Sequence, residues 1–301
     1  MEQRIDGGDD PVTGPVGESS APGQSADPSG PEGTSGGAGD RSRGAGPAPR
    51  PDDLARRVRA AHADLAELEG RLREPWGGGA LRLPGIRLMS SGLRVPQWNS
   101  ADVTWDTEPG TVDLASVRRW FAERDVPWGV RVPQGMAWPY GRKLLTKRAM
   151  ALATADLREP AEPAGVLVRP AGPADLDDYA RVDAASFDEE LGPTTDYARP
   201  MLGADGFRPV LATAGGEPAG VGYGILSAGA GGRSVGIFGI GVLREHRRRG
   251  IGAALTVHLV RWARDEGADL AWLNPDDDRA ARLYARLGFR EVAGFDVYVE
   301  A

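Results

Sequence analysis

Apolar side chains recur at intervals of three and four after Pro51-Asp52-Asp53: Leu54, Val58, His62, Leu65, Leu68 and Leu72. That spacing predicts one amphipathic helix with a capped start, and His62 falls on its stripe as a packed side chain rather than a ligand. Short alternating runs near 81–88 and 99–106 read as strands. A helix is expected from Asp113 to Arg124, followed by strands over 126–132 and 144–152. From residue 165 strand and helix patterns alternate. A strand over 165–170 precedes a helix from Pro173 to Phe187, with Leu176, Tyr179, Val182 and Ala185 on one face, and a second short helix over 194–202. Runs rich in Val, Ile and Phe at 207–213, 220–226 and 235–243 read as strands. Gly250–Glu266 is the clearest helix, because Ile251, Leu255, Leu259 and Trp262 share a stripe. A strand over 270–273, a helix over 279–287 and a final extended pair ending at Tyr298 complete an α/β domain of about 140 residues.

Composition changes this picture at one end. Residues 1–50 hold 12 Gly, 7 Pro and 6 Ser and no aromatic side chain. Such a segment buries too little to offset a chain entropy of about 1–2 kcal/mol per residue, and it reads as a disordered linker or solubility tail. Eight carboxylates against four arginines give it four of the chain's seven net negative charges, so the remainder is close to neutral. The expected organisation is therefore a tail over 1–50, an N-terminal helix and Trp-rich lobe over 51–160, and a second domain over 161–301. Six of the eight tryptophans fall between 76 and 138. Large side chains filling a small core explain them better than an aromatic groove does.

With no Cys and three His, a disulfide framework, a Cys-ligated metal, a Cys nucleophile and a His-rich metal centre are excluded. No metal is expected. The start MEQRIDGGDD lacks the basic and apolar regions of a signal peptide, and no apolar run approaches the roughly 18 residues of a membrane span. A cytoplasmic protein with no membrane partner is expected, and the acidic balance argues against a nucleic-acid partner.

The chemistry concentrates at Ile240-Gly241-Val242-Leu243-Arg244-Glu245-His246-Arg247-Arg248-Arg249-Gly250-Ile251-Gly252-Ala253. A strand runs into Arg-x-x-Gly-x-Gly and a helix begins there. The first amides of a helix lack intrahelical partners and carry the positive end of its dipole, while glycines admit a phosphate close to the backbone. This is an anion cradle. It is not a Walker A loop, which needs Gly-Lys-Ser/Thr, nor a dinucleotide fingerprint.

About thirty residues later stands Asp277-x-x-Ala280-x-x-Leu283-Tyr284-x-x-x-Gly288-Phe289. The two motifs, in this order and within this run of strands and helices, resemble the GNAT acetyltransferase superfamily over residues 164–301. The resemblance implies a mixed-sheet α/β fold and acetyl-CoA as co-substrate. It implies that the cofactor's pyrophosphate lies on Arg247, Arg248, Arg249, Gly250, Ile251, Gly252 and Ala253. Its pantetheine would pair with the backbone of Ile240, Gly241 and Val242. It also implies that Tyr284 either protonates the departing thiolate or packs on the cofactor. A phenol of pKa about 10 beside a thiol of about 8.5 can share a proton with it.

Two positions depart from the family pattern. Asp277 stands where the family often has Asn, which puts its cofactor hydrogen bond in doubt. Trp272 stands where some members carry a carboxylate base. An alkylamine of pKa about 10 still needs a proton acceptor at neutral pH. Glu189 and Glu190, with Asp188, lie in the loop that borders the acceptor site in this fold. They are the candidates, against the plainer reading of solvated loop charges. Glu245 and His246 could act through water or be surface groups, His258 reads as structural, and Asn274 either touches substrate or ends its strand. The lobe before residue 160 resembles the degenerate first half of tandem GNAT proteins. It has no Arg-x-x-Gly-x-Gly of its own, so it should support the second domain and shape its acceptor cleft. The function expected is transfer of acetyl to a primary amine of a small molecule, by direct attack in a ternary complex. The alternatives are a protein N-terminus or side chain as acceptor, and a non-catalytic acyl-CoA-binding module.

Overall fold

Val58, His62 and Leu65 of the first helix's stripe are buried against a sheet that takes strands from both halves of the chain. Leu54 and Leu72 are partly buried at its ends, and Leu68, expected on the stripe, is exposed. The computed structural model describes residues 51–299, and the expectation for the tail over 1–50 lies outside the described residues. The first part runs α1 (Pro51–Leu72), β1 (Gly79–Leu83), β2 (Ile86–Ser90), β3 (Asn99–Val103), α2 (Leu114–Ala122), β4 (Gly129–Pro133) and β5 (Arg142–Ala153). The second runs β6 (Val166–Pro170), α3 (Leu176–Phe187), α4 (Leu191–Ala198), β7 (Phe207–Ala214), β8 (Glu217–Gly229) and β9 (Gly232–Val242). It ends with α5 (Ile251–Asp265), β10 (Leu270–Leu273), α6 (Asp278–Arg286) and β11 (Arg290–Val299). Among the described residues the strands form one mixed sheet in the order β1-β2-β3-β4-β11-β5-β10-β9-β8-β7-β6. Only β3 with β4 and β9 with β10 run parallel.

Three local expectations change. The run near 81–88 is two strands, because Pro84-Gly85 turns the chain and Gly85 takes φ +73°, a conformation glycine adopts without strain. On α3 the buried set includes Ala184, and Ala185 is exposed. The final extended pair is one strand, β11, with an irregularity between Val292 and Phe295. A Cβ on Gly294 would lie 1.9 Å from the Lys147 carbonyl oxygen, so only glycine fits there.

The partner that this last strand lacks in its own half comes from the other. β5 lies between β10 and β11, pairing Met150–Ala153 with Leu270–Leu273 on one side and Arg142–Ala151 with β11 on the other. The loop around residue 160 thus separates two stretches of sequence that share one sheet. Cores form on both faces. One packs α5 and α6 on Val210, Val235, Ile237, Met150 and Leu152. On the other, α1, α3 and α4 cover Ala149, Ala151, Tyr223, Ile225 and Trp272. A third core joins α2 to β2, β3 and β4. It contains Trp120 and Trp138, with Trp128 stacked 4.6 Å from Phe121. Trp98 stacks 4.4 Å from Tyr197, while Trp76 is half exposed. The tryptophans fill separate cores rather than line one groove.

His62 is indeed packed, against Trp272 and Phe295 at 5.0 and 5.1 Å. It belongs to a buried polar knot that fastens α1 to β3. Asp102 is fully buried, its Oδ1 lying 3.1 Å from Arg59 Nη1 and 3.0 Å from His62 Nδ1. Ser100 donates to Asp102 Oδ2 at 2.7 Å, and Arg59 also donates to the carbonyls of Val103 and Arg131. Burial alone would raise the Asp102 carboxyl. His62, Arg131 and Arg59 outweigh it and hold the group far below the usual carboxylate range. Removing one partner of such a pair leaves an uncompensated buried charge, which costs about 3–5 kcal/mol. Asp102→Ala is expected to lose stability on that scale in urea denaturation. Asp102→Leu combined with Arg59→Met should lose less, since the cation that remains, Arg131, is partly exposed and keeps its hydrogen bond to the Gln97 carbonyl.

Candidate active site

The site begins where β9 and β10 part. Their pairing stops at Ile237 with Leu273; β10 ends there, and β9 continues to Val242 with β8 as its only strand partner. Phe238–Val242 therefore has a backbone edge that no strand covers, its far end taken up where the Val242 carbonyl meets Arg247. In the same stretch β9 bulges. Tyr223 pairs with Phe238 and Val221 with Gly241, so Gly239 and Ile240 both stand opposite Gly222. Gly239 takes φ +58°. A Cβ on Gly222 would lie 2.5 Å from Ile240 Cδ1, which is why glycine faces the bulge.

β9 then feeds the predicted cradle. Leu243 leads into a short 3-10 turn, Arg248 and Gly250 take φ of +65° and +82°, and α5 starts at Ile251 with no side chain capping it. Its first amides are open to a ligand. Gly252 keeps the floor low: Leu283 Cδ1 and Ile240 Cγ2 lie 3.5 and 3.7 Å from where its Cβ would be. Across the gap stands α6, capped by Asp277, whose Oδ1 accepts from Ala280 N at 2.7 Å. The cleft between holds about 1010 Å3. Six arginines line it, Arg158, Arg247, Arg248, Arg261, Arg279 and Arg286, against four carboxylates, of which Glu159 and Glu162 pair with Arg261, so the balance of charge favours an anion.

Ile240, Gly241, Val242, Arg247, Arg248, Gly250, Ile251, Gly252, Ala253, Asp277 and Tyr284 all line this cleft. Arg247 is partly engaged: it donates through Nε to the Val242 carbonyl at 3.0 Å and through Nη2 to that of Ser186 at 3.2 Å. It braces the loop against α3. Arg249 points away from the wall and meets His246 Nδ1 at 3.0 Å. Tyr284 is buried, edge-on to Phe289 with ring centres 6.0 Å apart. Burial, then the charges of Asp276 and Asp277, push its phenol above the usual range, so it carries its proton at neutral pH.

Glu189 and Glu190 are exposed and lie off the cleft wall. Glu189 accepts from Gln97 Nε2 at 3.5 Å, the point where the N-terminal segment meets the loop after α3. The Glu190 carbonyl accepts from Thr194 at the start of α4. Asp188 pairs with Arg244 at 3.3 Å. Asn274 donates to the Arg148 carbonyl at 2.7 Å, holding β5 in place. Trp272 is fully buried, so the strand offers no base at that position. His246 and His258 both reach the cleft wall, and burial lowers the His258 imidazole below its usual range. Two features have no sequence signal: the polar stretch Arg158–Pro163 forms one wall of the cleft, and Asp183 of α3 faces the bulge. Within a helix, Asp183 reads as one more solvated charge.

A bulged, splayed strand leading into an uncapped, glycine-started helix, with a buried tyrosine across the gap, is the arrangement of the GNAT superfamily. Solved structures share the fold. A GCN5-related N-acetyltransferase from Kribbella flavida superposes with a TM-score of 0.62 at 23% identity, covering 80% of this chain and 95% of that one. A GNAT-family acetyltransferase from Novosphingobium aromaticivorans gives 0.54 at 16% identity, covering 84% and 100%. A mycothiol acetyltransferase from Pseudarthrobacter chlorophenolicus is 35% identical over 170 residues, 48% of this chain and 49% of that relative, so the chain spans about half the relative's length. Residues 88–294 match the family described as "Probable histone acetyltransferase Rv0428c C-terminal", and the chain belongs to that family. The match starts in β2 and ends in β11, so it takes in the N-terminal strands as well as the cleft.

Proposed function

We propose that the protein is an acetyl-CoA-dependent N-acetyltransferase that acts on a primary amine by direct attack in a ternary complex. The observation that carries this reading is the unpaired edge of Phe238–Val242, set beside the open α5 amides and facing Tyr284. The residues fit acetyl-CoA: Ile251, Gly252 and Ala253 amides for the pyrophosphate, and the Ile240–Val242 backbone for the pantetheine amides. Backbone N–H groups at the bulge would polarise the thioester carbonyl, a form of preorganised stabilisation that acts on charge developing in the transition state. Tyr284 would return a proton to the departing sulfur. In this reading Asp277 serves the cofactor indirectly, by fixing the start of α6.

The acceptor is a small-molecule amine in this reading. The family's description favours a second one, a protein side chain, whereas the relative named for mycothiol favours a small molecule. CoA release measured across alkylamines, polyamines, aminoglycosides, amino acids and lysine-containing or free-N-terminus peptides separates the two. No release with any of them, despite acetyl-CoA binding, would leave a non-catalytic acyl-CoA-binding module.

Tyr284→Phe tests the chemistry. It keeps the ring packed on Phe289 and removes the proton donor. Acid assistance contributes about 10²–10⁴ in rate, and a thiolate leaves readily, so a kcat loss of about 10² is expected. Acetyl-CoA affinity should change by less than about twofold, and the deficit should shrink with an acyl donor of more acidic thiol. A kcat within about twofold of wild type under chemistry-limited conditions would remove Tyr284 from the mechanism.

A further inference from the structure

We infer that Asp183 is the catalytic base that takes the proton from the acceptor amine at the β9 bulge. The inference rests on the function proposed above. The residues of the bulge divide between the two faces of the sheet. Ile240 and Val242 turn toward α5 and the cofactor cleft, packing around Gly252. Gly239 and Gly241 turn toward α3, where a Cβ on Gly241 would lie 2.7 Å from Ser186 and 3.0 Å from the Phe187 ring. On that face the point a Gly239 Cβ would occupy lies 3.1 Å from the Tyr223 ring and 3.9 Å from Asp183 Oδ1. A carboxylate thus stands against backbone bare of side chains, at the strand segment whose other face lines the cleft.

Asp183 is held there and is left unused. Its neighbours Val182 and Ala184 are buried, and Tyr179, one turn earlier, is fully buried and donates to the Gly222 carbonyl at 3.2 Å. Among the described residues Asp183 makes no hydrogen bond or ion pair, whereas nearby carboxylates do: Asp188 with Arg244, Glu189 with Gln97, Glu69 with Tyr197 and Arg73. A half-buried carboxylate that solvent still reaches and that no cation or donor neutralises is free to exchange a proton, and such perturbed groups concentrate at sites where they act. The groups facing it are Tyr179 on α3, Tyr223 on β8 and Glu189 in the loop; beyond Tyr223, and tied to it rather than to Asp183, stand Tyr197 on α4 and the Glu69–Arg73 pair of α1. Burial raises all three phenols, which stay neutral. Burial, and then the charge of Glu189, push the Asp183 carboxyl up to about 7, which matches a base working at neutral pH.

The step balances without further reagents. The ammonium of the acceptor gives one proton to Asp183 Oδ. The freed lone pair attacks the thioester carbonyl carbon, the C–N bond forms and the C–S bond breaks. The second nitrogen proton passes to solvent water, and Tyr284, having protonated the thiolate, regains its own proton from solvent, so both residues end as they began. The products are the amide and the thiol, and Asp183 releases its proton to water.

The test uses the full chain as wild type, Asp183→Asn and Asp183→Glu. The acceptors are spermidine, a lysine-containing peptide, and aniline, which is neutral at pH 7. Asp183→Asn should bind acetyl-CoA within about twofold of wild type in calorimetry. It should lose roughly 10²–10⁴ in kcat/KM with the two cationic amines at pH 7. Aniline needs no prior deprotonation, so its deficit should fall below about tenfold. Wild-type kcat/KM should drop below about pH 7 as Asp183 protonates; the inflection should vanish in Asp183→Asn and reappear, displaced, in Asp183→Glu. Equal rates and an unchanged inflection in Asp183→Asn would overturn the assignment. Should that variant fail to fold, an undisplaced inflection in Asp183→Glu overturns it instead. A wild type that binds no acetyl-CoA, or releases no CoA with any amine, overturns the proposed function and this assignment with it.

Discussion

A fragment starting at Ala161 is expected to lack a cooperative fold, although the cleft motifs and the whole of β6–β11 lie within it. Truncation there removes β5 from between β10 and β11, leaving both strands with an open edge. It also takes Met150 and Leu152 from one core, and Val58, Ala61, Leu65, Ala149 and Ala151 from the other. Each large apolar side chain contributes about 1.5–3 kcal/mol when buried, and a whole domain has only about 5–15 kcal/mol of net stability. The four large side chains among them, Val58, Leu65, Met150 and Leu152, alone amount to about 6–12 kcal/mol, as much as the whole net stability of such a domain. Trp272 and Leu270, now buried, would face solvent on an unpaired strand, so aggregation is the expected result. Circular dichroism, size-exclusion chromatography and a urea titration check it. A monomeric fragment with a sharp transition and intact acetyl-CoA binding would show that β5 is dispensable. A chain starting at Pro51, in contrast, keeps all of these pairings.

Gly250→Glu should separate fold from ligand binding. The residue takes φ +82°, so any side chain there brings strain of roughly 1–2 kcal/mol. Space is not limiting, since the nearest atom to a Cβ would be that of Pro163 at 3.5 Å. A carboxylate beside the α5 start also interacts favourably with the helix dipole, which offsets part of that strain and keeps the variant folded. The same carboxylate competes with and repels a pyrophosphate at the open amides. Acetyl-CoA affinity is expected to fall at least about 100-fold in calorimetry, against less than about tenfold for Gly250→Ala, which carries the strain alone. Unchanged affinity in a folded Gly250→Glu protein would move the pyrophosphate off this loop.

What the sequence determined by itself is chemistry that acts over a few residues. The stripe from Leu54 to Leu72 forces a helix because its spacing matches the helical period. The glycines of Arg247–Gly252 shape a strand-to-helix turn because Gly250 needs positive φ, and Asp113 caps α2 through Ser116 N. The role of Tyr284 is implied by the resemblance that Asp277, Tyr284 and Gly288 carry, a motif confined to α6 and the residues flanking it. The tertiary structure alone decided which strands meet. Backbone hydrogen bonds are indifferent to side-chain identity, so nothing in the alternation of 142–153 says that its neighbours are Leu270–Leu273 and Arg290–Val299. The same holds for Asp183: a carboxylate on a helix has a meaning only once the chain has carried it to the bulge at Gly239, more than fifty residues away in sequence. Local preference fixes a residue's conformation, whereas burial, proton affinity and reactive contact belong to what the fold packs against it.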